Sequence, residues 1–216
     1  MIGKPASAWT GTTGEREGMA IREIVVYPED AQVLREKSRP VRTITGRVRR
    51  LVQDLADTLN AHPEGIGLAA PQIGAHSRVV VVRLGGRREG DGEPGPPIPL
   101  INPEIVEAGD ERADFDGCLS LPGLYGETVR PHTVRVTGLD ETGRPFDQVF
   151  EGFDAVVVHH EIDHLNGMLF IDRVERLEDL YHVRERENGE LVRVPLSSRP
   201  AQASRDTGNR DHKLDS

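Results

Sequence analysis
The stretch VVVHHEIDHLNG, residues 156–167, sets three histidines, two acids and an amide directly behind three valines. Imidazoles and carboxylates at this density can hold a cation, move protons, or do both. Within the stretch, HEIDH has the pattern H-E-x-x-H, from His160 to His164. Residues four apart on a helix share a face, so both imidazoles can reach one ion. Glu161 lies one position on, beside such an ion rather than on it, where it can take a proton from a water. The pattern is that of zinc peptidases, yet five residues also recur by chance on mixed-charge surface helices. Alone it leaves both readings open. His159 and Asp163 form a second i, i+4 pair, turned by about 100° from His160. They are expected to support the site from outside it.

The valines gain a meaning from the same period. Phe153, Val156, Val157, His160 and His164 fall on one stripe, apolar first and then ionisable. Each valine taken singly reads as ordinary core. As a set they suggest an apolar pocket wall about two turns from an ion. Two histidines do not complete a catalytic site, which usually has three protein ligands and an open position. The acids downstream, Asp172, Glu175 and Glu178, show no strong pattern. Upstream, FDGCLSLPG (115–123) holds the only cysteine, Cys118. A lone cysteine is often an inert buried residue. Beside H-E-x-x-H it reads better as a soft thiolate ligand. A third stretch, GIGLAAPQIG (65–74), combines small residues that permit close backbone approach with one uncharged donor and acceptor, Gln72. A packed turn with an outward glutamine would look the same.

The elements that must position these residues follow from periodicity. Residues 30–36 suit a short helix. From Thr45 as N-cap, apolar residues at Val48, Leu51, Val52, Leu55 and Leu59 predict a helix ending before His62-Pro63. A second helix is expected over 153–166, stopped by Gly167. Strands are expected at 78–84, 98–101, 104–107, 133–138 and 148–152. The composition of 85–97 is that of a loop, and Asn188-Gly189 marks a hairpin turn. Strands and helices do not alternate strictly, so an α+β fold is expected rather than a doubly wound sheet. At 216 residues the chain suits one domain with tails: an extension over 1–18, a domain over 19–196 and a disordered tail over 197–216. The net charge of −9 argues against stable nucleic-acid binding. The longest apolar runs are too short to cross a membrane, the first residues lack the apolar core of a signal peptide, and one cysteine forms no internal disulfide. A cytoplasmic protein is expected.

GIGLAAPQ, DGCLS and HEIDH, in this order, together resemble the three signature segments of the peptide deformylases, G-x-G-x-A-A-x-Q, E-G-C-L-S and H-E-x-x-H. IREIVVYPEDAQVLREKSRPV near the start and GRPF (143–146) are similar as well, so the resemblance covers residues 19–174. It implies antiparallel sheets packed around a central helix that carries H-E-x-x-H. The implied reaction is hydrolysis of the N-formyl group of formyl-methionine on new polypeptides near the ribosome, releasing formate. Cys118, His160 and His164 would bind the metal, with Fe2+ as the expected ion and Zn2+, Ni2+ or Co2+ able to substitute. Glu161 would be general base and then general acid. The Gln72 amide and the Leu119 backbone N–H would stabilise the oxyanion. Ile66 and Gly67 would pair with the extended substrate, and Phe153, Val156 and Val157 would wall the methionine pocket.

Two positions depart from that pattern. Asp116 stands where the family has Glu, and is expected to alter a pocket contact without touching a metal ligand. His159 stands where Gln is usual, and would perturb the surroundings of the ion or compete as a ligand. The alternatives to an active deformylase are a zinc-dependent peptidase, which leaves Cys118 and GIGLAAPQ unexplained, and an idle formyl-peptide binder, which needs neither Glu161 nor Gln72.

Overall fold
The computed structural model describes residues 20–85, 95–186 and 189–196. The expected extension 1–18, the middle of the expected loop 85–97, Asn188 of the expected turn and the expected tail 197–216 lie outside the described residues.

The fold is mixed α/β, with one curled antiparallel sheet and few helices. A short helix α1 (Ala31–Arg35) precedes α2 (Gly46–Asn60). As the sequence predicts, Thr45 caps α2, its side-chain oxygen accepting from the Val48 N–H at 3.4 Å. The apolar face of α2 buries Val52, Leu55 and Leu59. Leu55 and Leu59 are fully buried, and each burial contributes roughly 1.5–3 kcal/mol.

The strands are β1 (Gly67–Ala69), β2 (Val79–Val82), β3 (Ile98–Gly117), β4 (Leu124–Leu139), β5 (Pro145–Glu151), β6 (Leu180–Glu185) and β7 (Leu191–Pro195). Their order is β1-β2-β3-β4-β6-β7, with β5 also on β4, and every pairing between them is antiparallel. The two ends of one β4 edge are taken by different strands. Thr133–Leu139 pairs with β5, and Leu124–Gly126 pairs with β6.

β2 explains how helices flank this sheet. Its four valines are all buried, and side chains alternate between faces. Val79 and Val81 join the cluster formed with α2. Val80 and Val82 join the cluster formed with the third helix, α3 (Gly152–Leu165). That helix is buried on nearly every side, which is why its sequence looks both apolar and ionisable.

The strands read separately at 98–101 and 104–107 are one strand that continues to Gly117. Two irregularities in its ladder, between Ile101/Glu104 and Ile105/Glu107, and a positive φ of 51° at Asn102 break the sequence signal. The far half is polar because much of it is exposed, so it shows no apolar alternation to read.

Candidate metal centre
α3 ends where the sequence predicts. Gly167 takes φ 74°, and its N–H donates to the His164 carbonyl at 3.1 Å. The Met168 N–H closes the end on the Asp163 carbonyl at 3.0 Å. This fixes His160 and His164 on consecutive turns, with their Nε2 atoms 3.2 Å apart. Cys118 follows the last residue of β3 and puts Sγ 3.2 Å from His164 Nε2. The three ligand-type atoms lie within 4.8 Å of one another.

That convergence is what a small cation would require. Bonds of about 2.0–2.3 Å in tetrahedral geometry separate ligand atoms by about 3.3–3.6 Å. Two imidazole lone pairs and a sulfur are also the donor set of a soft to borderline divalent ion. Burial and the neighbouring His160 hold the His164 pKa well below its usual value, so this ring stays neutral and able to ligate.

Asp116 orients His160, which corrects the expectation that it touches no ligand. His160 Nδ1–H donates to Asp116 Oδ1 at 2.8 Å, leaving Nε2 free to face the cluster. The other carboxylate oxygen accepts from Arg130 Nε at 2.7 Å and from Thr128 Oγ1 at 3.0 Å. Burial alone would raise the Asp116 pKa, but His160 and Arg130 outweigh it and hold this carboxyl well below the usual range. Burial would likewise depress His160, and Asp116 reverses that. Asp116 thus draws positive charge onto the imidazole, a role that a proton or a bound cation can fill.

His159 does not reach the cluster. Its Nδ1 accepts from Arg130 Nη1 at 2.7 Å, and Asp163 Oδ2 lies 3.8 Å from the same nitrogen. Burial, with Arg130 and Arg173 alongside, lowers it to about 4, so it is neutral near pH 7. Competition as a ligand is therefore excluded by position, and a supporting role remains. Asp163 is held by Arg173 through Nε at 2.6 Å and Nη2 at 2.7 Å. Asp172 is engaged elsewhere, paired with Arg35.

Arg130 is the residue that the sequence reading missed. It is a fully buried cation on β4. The signal was present. Stepping back by twos from the buried Val136 and Val134 puts His132, Arg130 and Thr128 on the inward face, and all three are buried.

Glu161 and Gln72 flank the cluster. Glu161 is 4% exposed, and its Oε2 has no hydrogen-bond partner among the described residues. Burial lifts its pKa to about 7. Gln72 lies in a short 3-10 turn (Ala70–Ile73) and is held by the Ala69 N–H on Oε1 at 2.7 Å. This aims its Nε2 at Cys118 Sγ, 3.4 Å away, and at Ser120 Oγ, 3.3 Å away. Leu119 N–H makes no hydrogen bond among the described residues. Residues Ile66, Gly67, Gln72, Cys118, Leu119, Phe153, Val156, Val157, His160 and Glu161 all line one cleft of about 440 Å³. His164 lies beneath it, 1% exposed. Phe115 and Tyr125 stack at its rim with ring centroids 5.2 Å apart.

Gly67 is needed by this arrangement. A Cβ there would overlap the Glu161 carboxyl, standing 2.7 Å from its Cδ. Gly67→Ala is expected to displace that carboxylate without touching a ligand atom. Misplacement on this scale costs on the order of 10²-fold in turnover. Steady-state kinetics at unchanged metal content checks it, and full activity would show that Glu161 is free to move.

The chain is similar to known proteins along most of its length. A family profile described as polypeptide deformylase matches residues 21–179. A peptide deformylase of Thermomicrobium roseum is 43% identical over 169 residues, which is 78% of this chain and 94% of that protein. The crystal structure of a peptide deformylase from Legionella pneumophila matches with a TM-score of 0.64 at 40% identity, over 73% of this chain and 88% of that one. A peptide deformylase from Synechococcus elongatus, in complex with actinonin, matches with a TM-score of 0.65 at 39% identity, over 73% of this chain and 82% of that one.

Proposed function
The chain belongs to the polypeptide deformylase family, a metal-dependent hydrolase that removes the N-formyl group from new peptides, and on that premise we propose how its own residues divide the work. Cys118, His160 and His164 hold the ion, with Fe2+ as the native metal and Zn2+, Ni2+ or Co2+ as substitutes. When bound, such an ion supplies Lewis acidity toward the formyl carbonyl and makes a nearby water easier to deprotonate.

The substrate lies extended beside β1, an edge strand of the sheet among the described residues, and pairs with the backbone at Ile66 and Gly67 by strand addition. The methionine side chain enters between Phe153, Val156 and Val157. Gln72 Nε2 and the Leu119 N–H donate to the formyl oxygen as negative charge gathers on it. Glu161 takes a proton from the attacking water, whose oxygen bonds to the formyl carbon. The C–N bond then breaks, Glu161 delivers the proton to the amine nitrogen, and formate leaves. α3 serves as the central helix of this arrangement, and 19–196 as the catalytic domain. The protein works in the cytoplasm, on chains emerging at the ribosome. Among the described residues no helix is long and apolar enough to cross a membrane.

The single observation that carries this reading is the convergence of Cys118, His160 and His164 with an unpartnered Glu161 oxygen at the base of one apolar-walled cleft. The test is formate release from formyl-Met-Ala-Ser by iron-loaded protein without oxygen. Formate and free amine in equal amounts are expected. Gln72→Leu is expected to lose roughly 10²–10³-fold in kcat, the usual cost of one oxyanion donor. Cleavage at an internal bond would favour the peptidase reading. No product from fully loaded protein would favour the idle binder.

A further inference from the structure
We propose that Arg130 is a positioning residue through which Asp116 and His159 act on His160 as one coupled unit. The proposal rests on His160 being a ligand, as assigned above.

Two of the three nitrogens of the Arg130 guanidinium are hydrogen-bonded. Nε donates to Asp116 Oδ2 at 2.7 Å. Nη1 donates to Asp163 Oδ2 at 2.8 Å and faces His159 Nδ1 at 2.7 Å. Nη2 lies 3.4 Å from His160 Nδ1, a contact rather than a bond, since that nitrogen gives its proton to Asp116. A planar fork held through Nε and Nη1 in a buried site has one position. That position sets where Asp116 stands, and Asp116 sets the plane of the His160 ring.

His159 is the far stop of this assembly. Its ring is rigid and is held between Arg130 and Arg173, whose Nη2 lies 3.5 Å from His159 Nε2. Arg173 is itself anchored to Asp163 through two hydrogen bonds. Asp116 and His159 lie far apart in the chain and on different elements, β3 and α3. Yet both meet the same guanidinium. A carboxylate one methylene longer at 116 would push Arg130 toward His159, where a 2.7 Å contact with a rigid ring leaves no room. A glutamine amide turns on three side-chain torsions and would give way. The short acid and the rigid acceptor therefore belong together.

The experiment is a double-mutant cycle on the full chain loaded with Co2+: wild type, Asp116→Glu, His159→Gln and the pair. Three quantities are read: Co2+ retention against a chelator, the visible Co2+ spectrum, and kcat/KM for formate release. Asp116→Glu is expected to lose roughly 10–100-fold in Co2+ affinity and in kcat/KM, the usual cost of disturbing a ligand's partner, with a shifted spectrum. Adding His159→Gln is expected to recover at least about tenfold of that and to restore the spectrum. A double variant as poor as Asp116→Glu overturns the coupling, as does an Asp116→Glu protein with wild-type affinity and spectrum. If Asp116→Glu alone does not fold, rescue of folding by His159→Gln supports the proposal, and failure of both overturns it. Wild type that binds Co2+ but releases no formate would overturn the proposed function instead, leaving affinity and spectra to decide the coupling.

Discussion
Glu161→Gln is expected to keep its metal and lose turnover by about 10²–10⁴-fold, the range attributed to a positioned general acid–base. First, the proposed ligand set does not include this residue, since the atoms that converge are Cys118 Sγ and the two histidine Nε2. Second, the side chain is buried with one oxygen unpartnered, a state that stability alone does not maintain. An unpaired buried carboxyl costs free energy. Glutamine keeps the volume and removes the ionisable group, so the variant is expected to melt no lower than wild type. Loss of activity with unchanged melting and unchanged metal content separates chemistry from structure. Retention of more than about a tenth of wild-type kcat would remove Glu161 as the base, because it falls short of the smallest expected effect.

The second large effect is at Cys118. Cys118→Ala leaves two imidazoles facing each other across 3.2 Å with no third donor. Metal affinity is expected to fall by more than the roughly 10–100-fold that outlying partners cost, so stoichiometric iron is lost on dialysis and activity goes with it. The fold should survive. Cys118 is only partly buried, and Gln72 Nε2 retains Ser120 Oγ at 3.3 Å when the sulfur is gone. Metal analysis reads the result directly. Unchanged occupancy would take Cys118 out of the ligand set and require a different third donor.

The sequence was legible where one periodicity and one environment coincide. α2 has a capping threonine, an apolar face and a polar face, and its limits were readable within a residue or two. The C-terminal end of α3 was readable because Gly167 supplies a conformation that other residues avoid. The cluster of Cys118, His160 and His164 and the cleft-lining residues were legible because motif spacing and three ordered segments agreed. What escaped was the support. Asp116 was expected to touch no ligand because sequence distance hides that the end of β3 lies beside α3, with the Asp116 carboxylate 2.8 Å from His160. Arg130 escaped because a charged residue in a strand is normally taken to point outward. Its burial makes sense only once two acids from other elements are seen around it. The full length of β3 escaped for the opposite reason. Its far half is paired by β4 along one edge but packs little, so backbone hydrogen bonds hold it and leave no apolar signature.

The proposed ligands are widely spaced along the chain, with Cys118 and His164 46 residues apart, and Asp116 stands 44 residues from the His160 it orients. At a synthesis rate of about 5–20 residues per second, Cys118 is made several seconds before His164. During that interval it is an ordinary thiol, open to oxidants and to any stray soft cation. The pocket is completed only when α3 docks against strands already present. Cofactor capture is therefore a late event in the birth of each molecule, and the identity of the ion it carries is decided against an almost finished fold.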